Sequence, residues 1–555
     1  MKIPAILEKS LKSALKSQTS LSFVSILLKN YPKAEVFLVG GIIRDWLLKR
    51  PSKDFDFVVR GVPAKKLEAF LKKHGIVNLV GERFGVFKFI PKKLEKNPLA
   101  RALDGKKTIF DIALPRTEHA LGTGGYRDVE TQSDYQLPIE KDLSRRDFTI
   151  NAMALKLKSF DEQVQIIKNK KRLTNKKRLI VSADFVDPFD GLTDLKKKII
   201  RAVGNPIERF QEDYSRILRA LRFASQLNFT IEDKTWAALK NKIKNINAKI
   251  KITGEEKRLV PYEVISREFL KSIMSNPIKT IDIWDEAGAF KQIMPELLKM
   301  KNCPQHPEFH AEGDVWTHTR LAVAVLGSAG FKKFVKNFPK NLQQEPVLTP
   351  ELTVGVLFHD IGKPYTIKTP EKDGVDRIRN DEHDSVGADL IRKIGSRLKF
   401  SSVAEYPCDI EKIAWLIQHH LLTAHGDPLK FTNRTIEKYF FNSQLPGGCL
   451  LKLIYCDQMA SLVNGKPQLG SLPSLVKRIK NLLKNLKQKK SLPPSLLNGD
   501  EIMKILKIKP GKQVGEVIEK MREEQLSGRI KNKKQAKKFI LIARNLPFYK
   551  VEEIL

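Results

Sequence analysis

The chain has 555 residues, enough for roughly three or four domains, and its 41% hydrophobic and 29% charged residues are an ordinary globular balance that supports sizeable cores. A formal charge of +37 suits a polyanionic partner, nucleic acid first, while the same lysine excess also runs through stretches that read as plain surface. Four cysteines without a C-x-x-C pair exclude a disulfide scaffold and fit a reducing cytoplasm, and the absence of any apolar run of about 18 residues predicts no membrane span.

Residues 1–30 are broken by Lys, Ser and Gln too often for a secretory h-region and read as one or two amphipathic leader helices. Short apolar runs at 36–39, 55–59, 86–90, 108–113, 152–157 and 164–167 then alternate with helical segments, which predicts a mixed sheet with helices up to about Val203. Helical periodicity dominates after Pro206. The expected fold class is therefore α+β, an N-terminal mixed sheet with helices followed by all-α domains.

Within the sheet region, an apolar run ends in Gly40-Gly41 and leads into a helical pattern through Arg44, Asp45 and Leu48. Such a turn presents backbone N–H groups and a helix N-terminus to a triphosphate. Asp54 and Asp56 follow at once; residues two apart in a strand share a face, so both carboxylates aim at one point while Phe55, Phe57 and Val59 turn to a core. Hard oxygen ligands on a rigid element suit Mg²⁺. Two such ions about 3.5–4 Å apart activate an attacking hydroxyl and neutralise a leaving pyrophosphate. Alone, the glycines read as a sharp turn and D-x-D as a solvated strand end; together they point to nucleotidyl transfer.

Further on, Arg145, Arg146, Asp147 and Asn151 place two guanidiniums beside a carboxylate and an amide. Arginines so placed hold phosphate oxygens, and Asp147 with Asn151, four apart on a helical turn, would bond a ribose hydroxyl; a salt-bridged helix start is the plain alternative. The basic run at 168–178 suits equally an RNA-facing finger or a solvated hairpin. Asp187-Pro188 to Leu195 reads as a hinge-like link. Residues 212–223 read as one helix with Asp213, Arg216 and Arg219 on a stripe, where Asp213 and Arg216 would bond the Watson–Crick edge of a base or form a surface ion pair.

Eight of the ten histidines fall between His306 and His425. His318, His359-Asp360 and Asp457 follow the order H…HD…D, and His383 stands with His419 or His420 between the last two. Imidazole with carboxylate accepts Ni²⁺, Mn²⁺, Co²⁺ or Fe, and the sequence does not name the ion. Near the end, Val476, Ile479, Leu482, Leu483 and Leu486 give an amphipathic basic helix, and residues 491–495 break the chain before a last helical stretch.

Taken in order, the segments from Val36 to Phe223 resemble the bacterial tRNA nucleotidyltransferases, the CCA-adding enzymes of the class that includes bacterial poly(A) polymerases. The resemblance implies that Gly40, Gly41, Arg44, Asp45, Asp54 and Asp56 hold triphosphate and two Mg²⁺, that Arg145, Arg146 and Asp147 contact ribose and phosphates, and that Asp213 and Arg216, oriented by Glu212, select CTP or ATP. Asp111 is expected to complete the metal site as a third catalytic carboxylate. The stretch from Gly122 to Asp128 looks like the family's flexible loop, associated with the switch from adding C to adding A, and Lys49 replaces the usual glycine after Leu-Leu. The histidine pattern resembles the HD metal-dependent phosphohydrolases, which implies His318, His359, Asp360, His383, His419 or His420, and Asp457 as ligands of a transition metal or Mg²⁺. Some CCA-adding enzymes carry an HD domain with phosphatase and 2′,3′-cyclic phosphodiesterase activity.

The expected organisation is a nucleotidyltransferase head at 1–205, a helical neck at 206–300 for base selection and RNA binding, an HD domain at 301–470 and a basic tRNA-binding tail at 471–555. The expected function is addition of CCA to tRNA 3′ ends from CTP and ATP in the cytoplasm, with a second phosphohydrolase activity. An A-adding enzyme, a poly(A) polymerase and an HD phosphohydrolase acting on RNA ends stay open.

Overall fold

The computed structural model describes residues 3–17, 21–52, 54–80, 86–92, 109–120, 122–126, 128–169, 172–252, 255–338, 342, 347–424, 430–485 and 492–543. The chain divides into two compact units, Met1–Pro261 and Tyr262–Leu555.

The first unit is built on a seven-stranded sheet. Its strands are β1 (Glu35–Val39), β2 (Phe55–Arg60), β3 (Gly75–Val80), β4 (Val86–Pro91), β5 (Phe110–Ala113), β8 (Ala154–Asn169) and β9 (Arg172–Val186), in the order β3-β4-β5-β2-β1-β8-β9. Between them, β6 (Arg116–Ala120) and β7 (Val129–Ser133) form a separate antiparallel pair. The sheet is mixed: β2 runs parallel to β5 and antiparallel to β1. The leader helices Ala5–Ser17 and Ser22–Asn30 bury Leu7, Leu11, Phe23, Val24 and Leu27 against one face, together with Phe55, Phe57 and Val59. Rings of Phe23, Phe57 and Phe110 meet there at centroid distances of 5.5–5.9 Å, the edge and offset geometries that aromatic quadrupoles favour. Val58 turns to the opposite face, packed with Phe37, Val39, Ile139 and Leu143. Burying β2 on both faces fixes its register, because a one-residue slip would exchange every side chain between them.

Three expectations change here. Residues 164–167 are no separate strand but part of β8, which pairs with β9 as a long hairpin carrying the basic run; residues 170 and 171 lie outside the described residues. The strands β3, β6 and β7 were missed, because β3 begins at Gly75 directly from the preceding helix and β6–β7 is rich in polar residues. The helix expected at 212–223 is two helices, Pro206–Glu212 and Ser215–Leu227. Asp213 between them is extended, with φ −158° and ψ 105°, and its carboxylate accepts the Ser215 N–H at 2.8 Å. A short acidic side chain that satisfies a free N–H at a helix start stops one helix and begins the next.

Among its described residues the second unit is helical apart from a short strand pair at 462–467 and an isolated bridge between Lys368 and Arg379. The helices Val315–Val325, His383–Leu398 and Ile410–His419 carry His318, His383 and His419, His359 follows directly on the helix Pro350–Phe358, and Gly447–Ala460 carries Asp457. The expected basic helix spans Leu472–Asn485 and buries Leu475, Val476, Ile479 and Leu482; Leu486 lies outside the described residues. Beyond it, Gly499–Leu506, Lys512–Leu526 and Lys533–Ala543 share a small core around Ile502, Met521 and Ile540, the first helix started by an Asn498–Glu501 capping box. No described helix is long and apolar enough to cross a membrane.

Candidate functional site

In the first unit, β1 ends at Val39 and the chain turns at Gly40 with φ 86° and ψ −150°, a conformation essentially restricted to glycine. A Cβ there would stand 3.2 Å from Asp56 Oδ2 and 3.3 Å from Arg146 NH1. Gly40 thus lets the turn, a carboxylate and a guanidinium share one point. Val39 faces Asp56 across β1 and β2, and Asp56 faces Asp111 across β2 and β5. Asp54 is exposed just before β2, and Lys88 Nζ lies 3.1 Å from Asp111 Oδ1. Burial pushes the Asp56 carboxyl up to about 6; Arg146 opposes the rise, while Asp111 and Asp54 add to it. Asp56 and Asp111 stand side by side on β2 and β5, with Asp54 near enough to raise the Asp56 carboxyl, and hard carboxylate oxygens so placed suit a divalent cation.

Around this point the polar residues form a chain that is buried at Arg44, Asn151 and Asp147 and half-exposed at Arg219. Arg44 donates through NH1 to Asn151 Oδ1 at 2.7 Å and through Nε and NH2 to Asp45 Oδ1 at 2.9 and 2.8 Å. Asn151 Nδ2 donates to Asp147 Oδ1 at 3.0 Å, and Arg219 Nε donates to Asp147 Oδ2 at 2.8 Å. The helix Gly41–Leu47 is thereby tied to the helix Ser215–Leu227. Burial disfavours the Asp147 carboxylate, but Arg219 and the Asn151 hydrogen bond outweigh it and hold its pKa at about 2. Asp147 and Asn151, expected at a ribose, have these oxygens engaged by protein donors. Arg145 is likewise engaged, by Glu118 and Asp142, and Arg146, whose NH2 lies 3.4 Å from Asp142 Oδ2, is the guanidinium beside Asp56.

Arg216 donates through NH1 to Glu212 Oε2 at 2.5 Å and through NH2 to the Arg145 carbonyl at 3.3 Å, so Glu212 restrains it. Burial raises the Asp213 carboxyl. The expected Asp213–Arg216 stripe on one helix does not form, because Asp213 occupies the break. At the same break, the Tyr214 N–H donates to the Gly124 carbonyl at 3.1 Å, and a Cβ on Gly124, with φ +74°, would collide with the Tyr214 ring at 2.2 Å. The glycine-rich loop therefore rests on the junction between the two helices; Arg127 lies outside the described residues.

In the second unit, three groups assemble among the described residues, each with possible donor atoms within 4.8 Å of one another: His318, His359 and Asp457; Asp360, His383 and His420; and His310, Glu312 and His318, which shares His318 with the first. His318 Nε2 lies 3.2 Å from His359 Nε2 and 3.0 Å from Asp457 Oδ1, and His383 Nε2 lies 3.3 Å from His420 Nε2. Asp360, from the loop that joins them, stands 3.4 Å from both His359 and His383. His419 does not join. Its Nδ1 meets the Trp415 carbonyl at 2.8 Å and its ring packs on Trp415 and Tyr439, whereas His420, one residue on, is buried in the cluster.

Burial opposes a charged His318, yet Asp457 and Glu312 carry its pKa up to about 9. Burial likewise opposes ionised Asp360, but His359 and Lys363 hold it well below the usual range. Buried carboxylates thus gather positive charge from the protein itself, and with four imidazoles they fit divalent metal ions. Four residues escaped the sequence reading: Glu312 and His310, bonded to each other at 2.8 Å, and Lys363, whose Nζ reaches Asp360 Oδ2 and Gln305 Oε1 at 2.7 Å each. Lys363 follows Asp360 by three residues, a spacing that signals a helical pair; for Glu312 no local pattern gives a signal.

Residues 36–201 match the poly A polymerase head domain family and residues 340–448 match the HD domain family. A multifunctional CCA protein of Neisseria meningitidis serogroup A is 32% identical over 367 residues, 66% of this chain and 68% of that protein. Among solved structures, the Thermotoga maritima CCA-adding enzyme complexed with tRNA is 20% identical with a TM-score of 0.52, covering 95% of this chain and 96% of the other. The Bacillus stearothermophilus CCA-adding enzyme in complex with CTP is 18% identical with a TM-score of 0.51, covering 95% and 97%. At these identities the two structures establish the fold, and the relative establishes the family. The chain belongs to the CCA-adding tRNA nucleotidyltransferases, among the multifunctional CCA proteins that pair a poly A polymerase head with an HD domain.

Proposed function

We propose that the chain adds C, C and A to tRNA 3′ ends from CTP and ATP, releasing pyrophosphate, and that its HD centre hydrolyses phosphate esters, including 2′,3′-cyclic phosphates, at RNA ends. The observation that carries the first activity is the convergence of Gly40, Asp56, Asp111 and Arg146 on one point, linked through Arg145 to Arg216. In this reading Asp54, Asp56 and Asp111 would hold Mg²⁺, which would supply activation of the terminal hydroxyl and charge neutralisation of the leaving pyrophosphate. Gly40 and Gly41 supply backbone donors to the triphosphate, and Arg146 bonds its oxygens. Arg44, Asp147, Asn151 and Arg219 position the two helices against each other, while Asp213 and Arg216, with Glu212 behind, bond the edge of the incoming base.

Residues 1–205 serve as head and 206–300 as neck, residues 301–470 form the HD domain, and the tail from 471 grips tRNA through phosphates and shape, without reading sequence. The reading places the reaction in the cytoplasm with tRNA, CTP and ATP as partners. At the HD centre His318, His359, Asp360, His383, His420 and Asp457 hold the ions, and their imidazoles favour a first-row transition metal over Mg²⁺. A metal held there would supply an acidified water as the nucleophile. Lys363 keeps Asp360 ionised and in place. Hydrolysis of a terminal or cyclic phosphate restores the 3′-hydroxyl that the first activity requires.

Two variants test the pairing. Asp54→Ala should abolish tRNA extension and leave phosphate-ester hydrolysis intact, and His359→Ala should do the reverse; loss of both activities in either variant refutes separate centres.

A further inference from the structure

Each of the four clustered imidazoles is held from behind at Nδ1, which turns Nε2 toward the ligand cluster. His359 is held by the Val356 carbonyl at 2.9 Å, His383 by the Asn380 carbonyl at 2.6 Å and His420 by the Ile417 carbonyl at 2.6 Å. His318 differs, for its Nδ1 meets a carboxylate, Glu312 Oε1, at 2.8 Å. The Glu312 side chain is 1% exposed, so water screens its charge little. A carbonyl fixes the ring and its tautomer; a buried carboxylate does both and also makes the imidazole a stronger donor to a metal.

Glu312 acts on the opposite side of the same group as well. Its Oε2 accepts the Leu462 N–H at 2.8 Å, and the Ala311 N–H donates to the Leu462 carbonyl at 2.9 Å. Leu462 lies just past the end of the helix that carries Asp457, and the Ser461 N–H beside it donates to the Asp457 carbonyl at 2.9 Å. One carboxylate therefore holds His318 directly and, through Leu462 five residues beyond Asp457, the end of the helix that carries a second ligand of the same group. Among the described residues no carboxylate meets Nδ1 of His383 or His420, each of which faces a neutral carbonyl.

We propose that Glu312 is a positioning residue that makes the two metal sites unequal, with the His318, His359 and Asp457 site the tighter and the Asp360, His383 and His420 site the weaker. The proposal rests on the two-metal reading of the HD centre given above. Loading with Mg²⁺-free Co²⁺, followed by calorimetry and by visible absorbance of the bound ion, tests it on the full chain. The wild type should bind Co²⁺ in two steps. Glu312→Gln, which keeps the shape and an acceptor oxygen but removes the charge, should weaken the tighter step about 10–100-fold and leave the weaker step within about twofold. His383→Ala should remove the weaker step alone.

Unchanged affinities in Glu312→Gln, or equal weakening of both steps, overturns the proposal while leaving the metal centre standing. Absence of Co²⁺ binding by the wild type overturns the centre and the proposal together. Should Glu312→Gln fail to fold, as judged by circular dichroism in EDTA, the wild type loaded with Zn²⁺ decides. Its His318 Nδ1 proton, shared with a carboxylate, should resonate furthest downfield of the four imidazole N–H protons, and a position among the other three overturns the proposal.

Discussion

Gly40 shows how one residue serves a site by having no side chain. Its φ of 86° with ψ −150° is closed to other residues, and the space a Cβ would need is taken by Asp56 Oδ2 and Arg146. Gly40→Ala should lower nucleotide incorporation at least tenfold and cost about 1–3 kcal/mol in stability, read by single-turnover extension and by chemical denaturation, with HD-centre hydrolysis unchanged. Lys49 is the opposite case. It holds φ at 58°, in the left-handed region that the family's usual glycine enters freely. Lys49→Gly relieves that strain but loosens the unfolded chain, so its effect on stability should stay within about 1 kcal/mol, with incorporation unchanged. The Asp54-x-Asp56 spacing was legible because strand alternation is local and has a period of two. The choice between His419 and His420 was not legible, since adjacent positions at a helix end differ only in direction, and the tertiary packing of Trp415 and Tyr439 settles it.

At the scale of elements, the chain Arg44–Asn151–Asp147–Arg219 joins the helix behind the triphosphate turn to the helix beginning at Ser215. Asp147 titrates at about 2 in the folded protein, below its ordinary 3.8, because Arg219 and Asn151 outweigh the burial that disfavours its charge. A depressed value means that ionised Asp147 stabilises the fold, fully above about pH 4, and that this contribution is lost as the pH falls toward 2. Asp147→Asn should therefore cost about 2 kcal/mol at pH 7, and the gap from wild type in denaturation midpoint should close between pH 4 and pH 2. A gap that stays constant over that range contradicts the assignment.

Most of the sheet was readable from apolar runs bounded by turn residues, including β1, β2, β4 and β5. The break at Asp213 was not, because neither Gly nor Pro marks it and the helical period continues on either side. Arg145, Arg146, Asp147 and Asn151 were visible as a polar group, but which of them stands beside Asp56 and which are held elsewhere depends on Glu118 and Arg219, far away in sequence.

At the scale of the whole molecule, composition and order of motifs carried the reading further than any single segment. The +37 charge has a measurable consequence. If lysines and arginines grip tRNA phosphates, the logarithm of the affinity should fall linearly with the logarithm of salt, losing at least about 10²-fold between 50 and 200 mM in a fluorescence anisotropy titration; a flat response excludes phosphate-dominated binding. The order H…HD…D spread over some 140 residues located the metal cluster, because helices bring distant ligands together and their chain order survives that folding. Glu312, Gln305 and His310 stayed hidden, since a residue that supports a ligand carries no spacing rule of its own.

The central claim is that the paired carboxylates beside the Gly40 turn polymerise C, C and A onto tRNA. Its most direct test is to give the purified chain three tRNA transcripts, one without CCA, one without only the last A and one complete, with CTP, ATP and Mg²⁺, and to sequence the 3′ ends. The expected result is CCA on the first, A on the second and no extension of the third. Addition of A alone to the first transcript, a growing A tail on the third, or no extension of any would contradict it.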